Sequence, residues 1–189
     1  MLIPADRRLE TAGLLERAVA GDLTAFEEIV RMHEKQVLNT AWRLLGSLED
    51  AQDTAQEVFL RLFSNLKRLD DVRQVRPWLY RVTVNLCHDH RRRGRNFASE
   101  GLNGLEVATP GLDPEIMWLV QERRVILERG LATLPEKERA AVVLRDVEGL
   151  DTREVAEILG SSETTVRSQI CVARAKLRKF ADQFLRRRL

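Results

Sequence analysis

Glycine, proline, cysteine and aromatic residues are all scarce in this chain. Ten Gly and five Pro in 189 residues leave few obligatory turns. No segment alternates apolar and polar residues for long enough to suggest a half-buried strand. With Ala, Leu, Glu and Arg abundant, this predicts an all-α fold. The two cysteines, Cys87 and Cys171, make no disulfide framework, so a reducing, cytoplasmic setting is expected. No apolar run approaches the roughly 20 residues of a membrane span. Residues 1–10 lack the apolar stretch of a signal peptide, and no membrane insertion is expected. Histidine occurs only at 33, 88 and 90. There is no Gly-rich phosphate loop, no H-E-x-x-H and no convincing nucleophile–base pair. Neither an enzyme nor a cofactor is expected. Cys87, His88 and His90 span too little helix to converge on one metal ion.

What the chain does have is 44% hydrophobic and 32% charged residues, which excludes a disordered tail and permits buried cores. The net charge of +2 conceals strong segregation. Residues 1–60 hold 6 Lys/Arg against 11 Asp/Glu, and residues 61–95 hold 10 against 3. Residues 96–165 hold 7 against 14, and residues 166–189 hold 8 against 1. Two basic blocks in an otherwise acidic chain fit two separate contacts with a polyanion, nucleic acid being the obvious one. Arg-rich helix ends facing solvent are the plainer explanation of each block taken singly.

Residues 96–113 carry three of the ten glycines and Pro110 without sustained periodicity, and read as a linker. They divide the chain into units at 1–95 and 114–189, each expected to hold four helices. In the first unit one helix runs from about Thr11 to a break at Gly21-Asp22 and continues past His33. Others span about Gln36–Leu45, from Ser47 or Glu49 to about Leu66, and from near Arg76-Pro77 to about Arg93, the proline suiting a first helical turn. In the second unit they span about Pro114–Thr133, Pro135 to before Gly149, Asp151–Leu159, and from Ser162 past Phe180.

Residues 151–178 have the plan of a helix-turn-helix. Val155, Ala156 and Leu159 give the first helix an apolar face, Gly160 permits a tight turn, and Ser161 or Ser162 can cap the second helix. Val166, Ile170, Ala173 and Leu177 form one stripe of that helix. The other face carries Thr164, Ser168, Cys171 and Ala175, flanked by Thr165, Arg167 and Arg174. Small polar residues beside arginines suit a major groove; a basic helical corner inside a bundle is the plainer alternative. The segment WLYRVTVNLCHDHRRR sets Trp78, Leu79, Val82 and Leu86 on a packed face. Arg81, Asn85, His88 and Arg92 share a polar one. Tyr80, Arg91 and Arg93 add aromatic and basic groups, a combination suited to unstacked bases and a phosphate track. LEDAQDTAQEVFLRLF places Asp50, Asp53, Gln56 and Glu57 beside Phe59, either a solvated acidic face or a docking surface for a basic partner.

These stretches, in this order and spacing, resemble the sigma-70 family of bacterial transcription initiation factors, in particular its small extracytoplasmic-function (ECF) class. The resemblance covers nearly the whole chain. It implies that 1–95 is sigma region 2, with core polymerase binding and −10 element recognition and melting. It implies that 114–189 is region 4, with −35 recognition. On the matching positions, Asp50, Asp53, Gln56, Glu57 and Phe59 would dock on core RNA polymerase. Tyr80, Arg81, Asn85, His88, Arg91, Arg92 and Arg93 would hold −10 DNA, with the loop KRLDDVRQVRP capturing a flipped base. Thr164, Thr165, Arg167, Ser168, Cys171 and Arg174 would meet the −35 duplex. The resemblance also implies promoter DNA and an anti-sigma factor as partners. The competing expectation is a free-standing helix-turn-helix regulator of LuxR type, binding duplex DNA without polymerase.

Overall fold

In a computed structural model, residues 13–69, 71–93, 123 and 125–186 are described, apart from the side chains of Val72 and Arg73. The expected linker at 96–113 lies outside them. Every regular element among the described residues is helical. The first unit holds α1 (residues 13–19), α2 (Leu23–Leu45), α3 (Leu48–Asn65) with a 3₁₀ turn at Leu66–Arg68, and α4 (Val72–Arg93). The second holds α5 (residues 125–132), α6 (Glu136–Val142) running into a π turn at Val143–Val147, α7 (Thr152–Leu159) and α8 (Glu163–Arg186).

Local chemistry sets most boundaries. Asp22 caps α2 by accepting from the amides of Thr24 at 3.0 Å and Ala25 at 3.2 Å, while its other oxygen takes Arg17 Nε at 2.8 Å. Ser47 caps α3 through the Asp50 amide. Asp151 and Glu154 form a reciprocal capping box at the start of α7. Gly160, at φ 58°, takes the left-handed conformation that ends α7 and turns the chain into α8, where Ser162 Oγ accepts from the Thr165 amide at 3.1 Å.

Two boundaries differ from expectation. α2 runs unbroken through His33-Glu34-Lys35, because nothing there removes a backbone donor or favours a turn. α4 begins at Val72 rather than at Pro77, its first turn opened by the Gln74 amide on the Asp71 carbonyl at 2.9 Å. Pro77 falls in the second turn and forgoes one helical hydrogen bond.

Two cores form. Ala25, Ile29, Val37, Val58, Leu62, Val75 and Leu79 close the first unit around α2, α3 and α4. The other core is shared. Leu44, Leu45, Tyr80, Val84 and Cys87 from α2 and α4 pack with Leu131, Leu144, Leu150, Val155, Val166 and Ala173 of the second unit. Within that unit α5 and α8 approach so closely that a Cβ on Gly130 would lie 2.9 Å from Leu177 Cδ2. At the centre of the shared core is a charge. Arg139, 1% exposed, donates to the carbonyls of Leu44 at 2.9 Å, Ala132 at 2.7 Å and Leu134 at 3.0 Å. It thereby satisfies open acceptors at the C-terminal ends of α2 and α5 and, through Leu134, in the turn that follows α5.

Candidate nucleic-acid interface

The amphipathic split of α8 orients its chemistry. Val166, Ile170 and Ala173 are buried against α6 and α7, so Thr164, Thr165, Arg167, Ser168, Cys171 and Arg174 all fall on the solvent side. The structure therefore brings all six expected −35 residues onto the outer side of one helix. Beside them Arg145, Thr152 and Arg178 help line an open depression of about 550 Å³. Arg178 was legible as the next helical repeat after Cys171 and Arg174. Arg145 was not, since only the packing of α6 on α8 brings it there.

The arginines differ in their partners. Arg167 Nη2 donates to Glu163 Oε2 at 2.6 Å, one turn back on α8. Arg174 is held from another element: its Nε donates to Asp146 Oδ2 at 2.8 Å and its Nη2 to Asp146 Oδ1 at 2.6 Å. This carboxylate raises the Arg174 pKa above its ordinary value. Among the described residues Arg145 and Arg178 carry no ion pair.

On α4 the expected residues part company. Asn85, Arg92 and Arg93 are exposed. Tyr80 is 2% exposed, its ring in the shared core. Its hydroxyl donates to Glu148 Oε2 at 3.0 Å, and burial with the nearby Glu148 charge raises its pKa. Arg81 Nη2 donates to the Glu157 carbonyl on α7 at 3.1 Å. His88 Nδ1 lies 3.1 Å from Glu136 Oε1, and Arg91 Nη1 reaches the Leu44 carbonyl at 3.5 Å. In this arrangement four of the seven −10 candidates therefore touch the second unit or the C-terminal carbonyls of α2, and Tyr80 offers no ring face to a base. Sequence reasoning missed the group at the centre, Glu148. Its carboxylate also takes Arg43 Nη1 at 3.1 Å, and its carbonyl takes Arg76 Nη2 at 3.1 Å. No local pattern marks a single glutamate as the partner of residues 68 to 105 positions away.

The turn before α4 lines a depression of about 900 Å³ with Leu69, Asp71, Gln74, Trp78 and Arg81, closed on one side by Arg153 and Glu157 of α7. On α3, Asp53 and Gln56 are exposed and Phe59 is half-buried. Glu57 pairs with Arg61 at 2.7 Å, and Asp50 Oδ1 lies 3.3 Å from His90 Nε2. The same face continues into two apolar residues that the acidic pattern hid, Leu60 at 57% and Phe63 at 50% exposure. Their spacing from Gln56, four and seven residues, was the available signal. Burial pushes the Cys87 thiol up to about 12, so it stays protonated and inert, whereas Cys171 is exposed.

A helix-turn-helix in one unit and a basic helix beside a depression in the other invite comparison with known proteins. The Sigma-70 region 2 family matches residues 29–97, and the Sigma-70, region 4 family matches residues 124–177. The ECF RNA polymerase sigma factor SigE of Mycolicibacterium smegmatis is 34% identical over 179 residues, covering 94% of this chain and 69% of its own. SigW of Bacillus subtilis, likewise named an ECF RNA polymerase sigma factor, is 30% identical over 174 residues, covering 87% of this chain and 93% of its own.

The chain belongs to the sigma-70 family, in its ECF class. As a sigma factor it is a non-catalytic transcription initiation factor. A solved structure of CnrH in complex with the cytosolic domain of CnrY is 25% identical, with a TM-score of 0.67, and covers 90% of this chain and 96% of that one. No helix among the described residues of the sigma factor is long and apolar enough to cross a membrane.

Proposed function

We propose that this ECF factor joins core RNA polymerase through α3, reads a −35 duplex with the outer face of α8, and holds an opened −10 strand along α4. The observation that carries the reading is the outer face of α8, where five polar or basic residues and Cys171 stand clear of the core beside Arg145 and Arg178. That surface has the charge for phosphates and the donors for base edges. Asp53, Gln56, Leu60 and Phe63 form the docking face on α3, polar at one end and apolar at the other. Region 2 takes in residues 1–95 and region 4 residues 114–189. The factor works in the cytoplasm, where polymerase and promoter DNA are found. An anti-sigma factor is its restraining partner.

Run-off transcription with purified core polymerase on a promoter library tests this reading. The parent chain should direct initiation from a subset of promoters sharing two spaced elements. Asp53→Arg with Gln56→Arg should abolish core association, with a stability cost within about 0.5 kcal/mol at each exposed site. Sequence-specific duplex binding as a dimer, with no dependence on polymerase, would overturn the proposal in favour of a free-standing regulator.

A further inference from the structure

The side-on pair between Arg174 and Asp146 has a direction. A guanidinium presents two donor edges: the side edge, Nε with one Nη, and the end edge, formed by both Nη groups. Asp146 occupies the side edge with two short bonds, at 2.8 and 2.6 Å. The end edge remains, and its two parallel N–H groups match the N7 and O6 acceptors of guanine. Asp146 lies within an irregular stretch of helix. The π turn at Val143–Val147, closed by the Glu148 amide on the Val143 carbonyl at 3.0 Å, adds a residue to the helix. α6 and α8 are also joined by Lys176 Nζ on both oxygens of Glu138 at 2.8 Å, so their packing does not hang on Asp146 alone.

We infer that Asp146 is a positioning residue for promoter recognition: it fixes Arg174 as the reader of one guanine and, as a carboxylate beside the DNA, weakens binding to every other sequence. The inference rests on the proposal that α8 reads a −35 duplex. It divides the arginines of the depression. Arg174, with one edge held, is aimed at a base. Arg145 and Arg178, without ion pairs among the described residues, are free to follow phosphates. A buttressed arginine loses little further freedom on binding, so its two bonds count almost fully toward discrimination. A negative charge next to the backbone acts against the sequence-independent attraction. Asp146 thus raises selectivity and lowers total affinity.

The test uses the full chain and duplexes selected from a random pool, with affinities measured across a salt series. The probes are the selected sequence, its single base-pair substitutions and an unselected duplex. Arg174→Ala should lose about tenfold in preference at one base pair. Asp146→Ala and Asp146→Asn should lose most of that same preference, while their affinity for the unselected duplex rises several-fold. Arg178→Ala should weaken all duplexes alike and lower the salt slope by about one, which the Asp146 variants should not do. A purely structural role for Asp146 predicts a lower thermal midpoint and equal weakening on every duplex, and that result overturns the inference. So does an Asp146→Ala chain that keeps the parent's preference. A parent chain with no preference at all overturns the −35 reading itself, and the role of Asp146 with it.

Discussion

Replacing Arg139 with alanine should damage the fold more than any other single charge removal. The guanidinium is almost wholly enclosed and its bonds go to three backbone carbonyls, one in α2, one at the end of α5 and one in the turn after it. Burial pushes its pKa down only to about 10, so it remains charged near neutral pH. A hydrogen bond to a charged group contributes about 1.5–3 kcal/mol net, but the three share one cation whose desolvation offsets part of the sum. Removing it leaves a cavity and three acceptors without their donor. The loss should be about 3–5 kcal/mol, a large part of the roughly 5–15 kcal/mol that holds an ordinary domain folded. At roughly 2–4 °C per kcal/mol for a chain of this size, the thermal midpoint should fall by about 6–20 °C. Arg139→Met keeps the volume of the stem and should recover only the packing part. Because the cation spans the two units, Arg139→Ala should also split one cooperative transition into two. Urea titration followed by tryptophan fluorescence and far-UV circular dichroism measures both effects. A single transition within about 1 kcal/mol of the parent would show that Arg139 does not hold the units together.

Further outcomes follow from the same geometry. Leu60→Asp should abolish co-purification with core polymerase while changing stability by no more than about 0.5 kcal/mol, since the residue is exposed; retained co-purification would remove Leu60 from the docking face. Asn85→Ala should slow open-complex formation on duplex promoters, with partial rescue on a template carrying a pre-melted −10 bubble, as read by permanganate footprinting. Equal defects on both templates would assign Asn85 to duplex binding. Burial, with the Arg76 charge, holds the His33 imidazole below its ordinary 6.5. The unfolded chain therefore binds the extra proton, so the His33 contribution is complete above 6.5 and declines as pH falls below it. Urea midpoints at pH 7.5 and 5.5 should differ less for His33→Gln than for the parent. Glu148→Ala should enlarge the radius of gyration measured by small-angle X-ray scattering, because Arg43 and Tyr80 lose their shared acceptor; an unchanged radius would mean that apolar packing alone sets the arrangement.

The helix-turn-helix was legible almost residue by residue. Its signals are local: a capping box at Asp151, an αL glycine at 160, a serine cap at 162, and an apolar stripe of period 3.6 that fixes which side of α8 faces outward. The all-α class followed from the same periodicities. The start of α4 did not, because Pro77 marks a common first-turn position without forbidding a turn ahead of it. The burial of Tyr80 is illegible for a related reason. Placed among arginines Tyr80 resembles a base-stacking ring, yet its face of α4 is covered by the second unit, which α4's own pattern does not encode. Glu148, Arg139 and the pairing of Asp146 with Arg174 were illegible for the same cause. Each joins residues from separate helices, and a lone charged residue on an amphipathic helix looks the same whether it meets water or a partner.

The seat of Glu148 has a kinetic side. Arg43, Arg76 and the Tyr80 hydroxyl surround an anionic group supplied by the chain itself, in the unit that also carries the −10 candidates. A tethered occupant is present at an effective concentration in the millimolar range and does not dilute away. Any external anion that uses those cations must displace Glu148 first, and its apparent affinity is reduced by the fraction of time the seat is filled. That reduction is the same at every protein concentration, because the occupant is part of the chain. A partner that draws the two units apart would raise affinity at this seat without touching it.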